Sequence, residues 1–252
     1  MIGHVRIGSG SEGVIVLHGW LGDYTAFTPL LPFLDSDSFS YAFMDYRGYG
    51  RSRALSGEHT MQEIAADALR LADHLGWERV HLLGHSMGGM AVQRIALDAP
   101  TRVKSIVALT PVPPTGVPFD EAGWALFTGA AEHDAQRRQI IDYTTGNRLS
   151  PAWLDYMTRR SRETSDQQAF ADYLIAWAKT DFSAEICNPT TPMLVLAGEH
   201  DPALGMATLQ AALMPHYPHA QLEMLSNAGH YPMQETPVYL ATRIERFFIE
   251  HS

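Results

Sequence analysis

Cysteine is almost missing from this chain of 252 residues; Cys187 is the one example. An internal disulfide is therefore excluded, and nothing in the sequence calls for an oxidising compartment. Cys187 precedes Asn188-Pro189 in an expected loop and reads as a spectator thiol. Positive charge is also scarce. Eighteen Lys and Arg face twenty-eight Asp and Glu, for a net charge of −10. That balance argues against nucleic acid or an anionic membrane surface as the main partner. Long apolar runs are absent too. The first, Val14-Ile15-Val16-Leu17, is far too short to span a bilayer. Met1-Ile2-Gly3-His4 carries neither the basic nor the apolar region of an export signal, so the expectation is a cytoplasmic protein. None of the twelve histidines sits in an H-E-x-x-H pattern. His216 and His219 lie among prolines and read as a solvated loop, so no metal site is expected.

What is present is ordinary in amount and informative in order. Hydrophobic residues make up 46% and charged residues 18%, the balance of a soluble globular enzyme. The length suits one domain with an insertion. No repeat or low-complexity tract interrupts it. Short apolar runs read as strands at Val14–Leu17, Tyr41–Met44, Val80–Leu83, Val103–Leu109, Met193–Ala197 and Gln221–Leu225. Helices fall between them. Thr60 to Leu75 opens with the Thr60/Glu63 capping-box spacing, carries Ile64, Ala68, Leu71, Ala72 and Leu75 on one face, and stops at Gly76. Met87 to Asp98 ends before Pro100, and Val238 to Ile249 closes the chain with Leu240, Ile244 and Phe247 or Phe248 inward. Strand–helix alternation of this kind predicts an α/β fold with a mostly parallel central sheet and helices on both faces. Only one strand fits before Val14, which shortens that sheet edge.

One crossover is too long. About eighty residues separate Leu109 from Met193, where a dozen suffice. The excess leaves through Pro111-Val112-Pro113-Pro114 and returns through Asn188-Pro189-Thr190-Thr191-Pro192. Helical stretches fill it at Asp120–Ala131, Asp134–Thr144, Pro151–Arg162 and Asp166–Lys179. Ser150-Pro151 fits an N-cap before a first-turn proline, and Ser165 with Gln168 fits a capping box. The expected organisation is a core of residues 1–111 and 189–252 with a helical cap, 112–188, inserted into it. Large apolar side chains in the cap, Trp124, Phe127, Trp153, Tyr156, Tyr173 and Trp177, are candidates for a pocket roof. Packing between cap helices accounts for most of them.

Chemistry concentrates at strand ends. Gly84-His85-Ser86-Met87-Gly88 stands between a strand and a helix, the setting of a nucleophile elbow. Small residues at 84 and 88 permit the tight turn that lifts the Ser86 hydroxyl from the sheet. The Met87 N–H then points, at the positive end of a helix, to where an oxyanion would form. A serine needs a base, and the base needs an orienting group. Loops after parallel strands share one rim, so both should follow strands. Gly198-Glu199-His200-Asp201 follows one strand and offers Asp201 as the acid, with Glu199 and His200 beside it as alternatives. Ser226-Asn227-Ala228-Gly229-His230 follows another and offers His230 as the base. The order Ser86, Asp201, His230 is the α/β-hydrolase order.

With His18-Gly19 after the first central strand, Asp45-Tyr46-Arg47-Gly48-Tyr49-Gly50-Arg51-Ser52, Gly198 to Asp201 and Gly229-His230, the chain resembles the α/β-hydrolase superfamily over essentially its whole length. The resemblance implies that the backbone N–H groups of Trp20 and Met87 form the oxyanion hole. Gly19 would permit the turn that aims the Trp20 amide, and the Trp20 side chain would wall the acyl pocket or pack in its loop. Asp45, Arg47 and Ser52 are assigned to loop structure, with Arg47 also considered as a clamp for a substrate carboxylate. His85 is read as support for the elbow.

These residues together predict a serine hydrolase that cleaves a small-molecule carboxylic ester or related acyl compound through an acyl-enzyme, needing no cofactor. Haloalkane dehalogenases and epoxide hydrolases of the superfamily carry aspartate where this chain has Ser86. A lactonase, a carbon–carbon bond hydrolase of ring-cleavage products, a cofactor-free perhydrolase and a slow-turnover ligand receptor all keep the serine. A carbon–carbon hydrolase would want basic residues facing its pocket; Arg159, Arg160 and Arg162 are available, though a solvated helix face suits them as well. Substrate and oligomeric state are not legible.

Overall fold

Seven strands form one sheet: β1 (His4–Ile7), β2 (Glu12–Leu17), β3 (Phe39–Met44), β4 (Val80–His85), β5 (Val103–Leu109), β6 (Met193–Gly198) and β7 (Gln221–Leu225). The computed structural model describes all residues from Met1 to Ser252. The spatial order is β1-β3-β2-β4-β5-β6-β7. Only β1 runs antiparallel to its neighbour, β3. The six others are parallel, so their carboxyl ends share one rim. Strands β3, β4 and β6 are buried at every position. Burial on both faces explains why these runs read as continuously apolar rather than alternating. At the edge, β7 is mostly exposed or half-buried, with only Leu225 buried.

Nine α-helices follow in chain order. They are α1 (Met61–His74), α2 (Met87–Asp98), α3 (Glu121–Gly129), α4 (Asp134–Thr144), α5 (Pro151–Thr164), α6 (Gln167–Lys179), α7 (Met206–Ala212), α8 (Pro232–Glu235) and α9 (Pro237–Ile249). Helix α1 buries Ile64, Ala68, Leu71 and Ala72, the stripe expected from spacing. Thr60 caps it, its Oγ1 accepting the Glu63 N–H at 3.1 Å. The reciprocal half of that box is displaced by one residue, because the Glu63 carboxylate accepts from the His59 N–H at 2.9 Å. In α9 both Phe247 and Phe248 are buried.

Helices α3 to α6 occupy the long connection between β5 and β6. Ser150 caps α5 as its sequence predicts. The expected Ser165/Gln168 box is not formed. Asp166 caps α6 instead, its carboxylate accepting from the Gln168 and Ala169 N–H groups. Ser165 turns back into α5, donating to the Ser161 carbonyl at 2.8 Å. A carboxylate is the stronger acceptor at a helix N-terminus, where the dipole favours negative charge. The start of α6 is also fastened to the sheet side. The Asp166 N–H donates to the Gly48 carbonyl at 2.7 Å, and Tyr49 forms a β-bridge with Ser165. Gly48 has φ +80°, and a Cβ there would overlap Ala169, so the seam requires glycine.

Candidate active site

Strand β4 delivers Ser86 to the rim. Ser86 takes φ 56° and ψ −115°, a conformation that costs a non-glycine residue on the order of 1–3 kcal/mol. The turn is over-determined by its surroundings. The Ser86 N–H donates to the Leu109 carbonyl, and the Ser86 carbonyl accepts from Met90 and Val112. A Cβ on Gly84 would strike the Gly88 backbone, and one on Gly88 would strike the Leu17 and His18 carbonyls. Both glycines are therefore demanded by close backbone approach, as the motif predicts. Met87 is the first residue of α2, so its N–H has no acceptor within that helix.

The loops after β6 and β7 bring two partners to the serine. His230 Nε2 lies 3.0 Å from Ser86 Oγ. His230 Nδ1 lies 2.6 Å from Asp201 Oδ2. The other Asp201 oxygen accepts from the Ala203 and Leu204 N–H groups at 2.9 and 3.0 Å. Those bonds hold the carboxylate facing the ring. Of the alternatives for the acid, Glu199 instead accepts from the Asn227 N–H, and His200 lies beside Glu199. The arrangement can pass the Ser86 proton to His230, whose ring the aspartate orients.

The backbone of His230 is braced by groups that the motifs do not name. Its carbonyl accepts from His85 Nε2 at 2.7 Å and from Thr110 Oγ1 at 3.2 Å. Its N–H donates to the Thr144 carbonyl at the end of α4, at 3.1 Å. Burial, and then the nearby His230, hold His85 well below the usual imidazole range, so it remains a neutral donor. The Glu235 carboxylate accepts from the Gly229 and Tyr231 N–H groups on either side. His85, expected to support the elbow, binds the loop that carries His230 instead. Thr144 and Thr110 carry no local sequence signal, because their partners are main-chain atoms distant in the chain; Glu235 acts locally, but on main-chain N–H groups that carry no side-chain signature.

The loop after β2 is equally well held. His18 is fully buried, and burial lowers it to about 4. Its Nδ1–H donates to the Gly19 carbonyl at 2.8 Å. Tyr46 and Tyr49 hydroxyls donate to the His18 and Trp20 carbonyls at 2.7 and 2.9 Å. The Trp20 indole N–H donates to the Phe170 carbonyl at 2.7 Å, while the Trp20 backbone N–H makes no hydrogen bond within the protein. Asp45 accepts from the Tyr24 and Arg51 N–H groups, and burial still pushes it up to about 6. Ser52 accepts from the Gly3 N–H. Arg47 donates to Asp67 at 2.8 Å. Asp45 and Ser52 bond to main-chain N–H groups, and Arg47 is not among the residues lining the cavity at Ser86.

Ser86 and His230 open into a cavity in which thirteen of nineteen lining residues are hydrophobic. Trp20, Phe127 and Trp177 line it, as proposed from sequence. Four other candidates do not. Trp124 faces an outer groove with the Lys179 ammonium 4.4 Å above its ring. Trp153 packs edge-on against Tyr231. Tyr156 is 40% exposed. Tyr173 is buried between Tyr46, Tyr49 and His59 at the seam between α6 and the sheet. Each large apolar side chain had another surface to cover. Smaller or unflagged residues complete the lining, among them Phe119, Val112, Ile140, Met157, Leu204 and Tyr231. No Lys or Arg lines it. Arg159 is exposed, Arg160 reaches Glu163 and Thr25, and Arg162 pairs with Asp134.

Comparison with known proteins agrees with this architecture. The family model described as the alpha/beta hydrolase fold matches residues 13–237. The chain belongs to that family. It is 27% identical over 242 residues to the dihydrolipoyllysine-residue acetyltransferase component of an acetoin cleaving system of Cupriavidus necator, covering 92% of this chain and 62% of that longer protein. It is 27% identical over 249 residues to a 2-hydroxy-6-oxononadienedioate/2-hydroxy-6-oxononatrienedioate hydrolase of Cupriavidus pinatubonensis, covering 90% of this chain and 83% of that one. An esterase from Exiguobacterium antarcticum superposes with a TM-score of 0.86 at 19% identity, over 98% of this chain and 94% of that one. No helix is long and apolar enough to cross a membrane.

Proposed function

We propose that the protein is a serine hydrolase for small, uncharged carboxylic esters, with Ser86 as nucleophile, His230 as general base and acid, and Asp201 as the group that orients His230. The observation that carries the reading is the hydrogen-bonded chain Ser86–His230–Asp201 at the wall of an apolar cavity without cations. Ser86 Oγ attacks the acyl carbon as His230 Nε2 takes its proton. Negative charge moves to the acyl oxygen, where the Trp20 and Met87 N–H groups receive it. His230 then protonates the departing alcohol. Water then attacks the acyl carbon while giving a proton to the same imidazole; the bond to Ser86 Oγ breaks, His230 returns that proton to Oγ, and the acid leaves. Residues 112–188 act as a cap that excludes water and sets which acyl groups fit.

Absence of Lys and Arg from the cavity favours esters over the dianionic compounds in the name of the dienedioate hydrolase relative. Burying a carboxylate among apolar walls without a cation costs several kcal/mol. A lactone is an internal ester and meets the same machinery. Hydrolysis of p-nitrophenyl acyl esters of increasing chain length, with Ser86→Ala alongside, tests the reading. Turnover that vanishes in Ser86→Ala supports it. Turnover that survives the substitution, or none from folded wild-type protein on any ester, overturns it.

A further inference from the structure

Arg137, on α4, is wholly buried and forms no ion pair. Its Nε donates to the Ala130 carbonyl at 2.7 Å, and its Nη1 donates to the Ser161 and Ser165 hydroxyls at 2.8 and 3.2 Å. Its Nη2 has no partner. Burial, and then Arg162, lower its pKa to about 10. A desolvated cation facing only neutral oxygens is costly, and an apolar side chain of similar length would fill the space at less expense. Packing of the helices alone does not account for it.

The face of the guanidinium lies on an aromatic ring, 3.7 Å from the Phe170 centroid. On the ring's network sits Trp20, with centroids 4.0 Å apart and planes inclined by 23°. The Trp20 indole N–H is tied to the Phe170 carbonyl. Phe170 thus joins a buried cation to the residue whose backbone N–H is assigned to the oxyanion. A cation over a ring face is attractive, and more so when desolvated.

We propose that Arg137 is a positioning residue for catalysis, acting through Phe170 to fix the Trp20 loop at the oxyanion site. The inference rests on the esterase reading. Arg137 touches no substrate. It holds Phe170 from one side while Trp20 stacks with that ring, so the Trp20 amide keeps its aim while the acyl oxygen gains charge. Loss of aim penalises the transition state more than the bound ester, and displacement of about 1 Å can cost on the order of 10² in rate.

Steady-state kinetics of Arg137→Met and Arg137→Lys test this, with Trp20 emission taken as the difference between each protein and its Trp20→Phe counterpart. Arg137→Met is expected to keep its thermal midpoint, to lower kcat about tenfold and to change KM less than about twofold. Arg137→Lys restores a cation over Phe170 and is expected to recover kcat to within about threefold of wild type. Trp20 emission should shift in the Met variant and return in the Lys variant. Wild-type kcat in Arg137→Met, a loss carried by KM alone, or equal losses in both variants would overturn the proposal. If Arg137→Met does not fold, Phe170→Leu decides: it should lower kcat with KM held, and an unchanged kcat overturns the proposal. Inert wild-type protein would defeat the esterase reading separately, and the emission shift would still decide whether Arg137 holds Trp20.

Discussion

The rim of the sheet and the inserted helices meet at the same cavity, yet they are built under different constraints. At the rim, the proposed proton transfer would require particular residue types at particular strand ends. Ser86, Asp201 and His230 lie within hydrogen-bond reach from three separate loops. In the helices, the cavity requires only bulk of suitable shape. Phe127 and Trp177 reach it, while Trp124, a helical turn from Phe127, turns outward to Lys179. Chemistry restricts identity, whereas packing restricts volume and direction.

Substitutions at the rim should break this contrast most severely. His230→Ala is expected to lower kcat by on the order of 10⁶ under the triad reading, measured as ester hydrolysis at saturation. Asp201→Asn keeps the shape but presents an amide to Nδ1, and should cost on the order of 10⁴. A loss below about tenfold in either would dissociate that residue from the reaction.

Acid should separate the two regions by stability. Burial lowers both His18 and His81 from the usual 6.5 to about 4, and it holds His85 well below that range. All three belong to the sheet and its loops. Between about pH 6.5 and 4 the unfolded chain binds protons at these sites and the folded chain does not. Stability is therefore full above that window and falls as pH drops through it. Asp45, raised to about 6, works in the opposite direction and offsets part of the loss. Thermal midpoints across this range should decline steadily with acid; a flat profile would contradict the burial of neutral imidazoles.

The inserted helices should respond in selectivity. Phe127→Ala enlarges the cavity and should raise kcat/KM for the longest acyl chains relative to short ones by about tenfold. Tyr156→Ala, being exposed, should leave the chain-length profile within about twofold. Smallest of all, Thr60→Ala removes the α1 cap and should cost about 1 kcal/mol in denaturant unfolding with the chain-length profile intact.

Legibility in the sequence follows the same division. The apolar runs mark the central strands because those strands are buried on both faces. The glycines of the elbow are readable because backbone atoms crowd where their side chains would be. Helix α7 is short and buries only Leu209, so it shows no apolar stripe and passes unmarked, and β1 is legible only as room for one strand before Val14. At the site, side-chain identities are legible, and the bonds that brace them are not. Thr144 holds the His230 N–H with a carbonyl, and any residue type supplies a carbonyl. Ser165 looks like a helix cap in the chain, but Asp166 beside it is the better acceptor and takes that place. Pocket membership among the cap aromatics depends on helix rotation and on what else each ring can cover, as Tyr173 and Trp153 illustrate.

Covalent trapping of the nucleophile tests the central claim without knowledge of the substrate. The intact protein is treated with an uncharged organophosphate ester, and the adduct is located by peptide mass. The account predicts a single adduct on Ser86, absent in Ser86→Ala and slower to form in Asp201→Asn. Folded wild-type protein that gains no adduct, or gains it at another residue, would contradict an activated serine at this elbow.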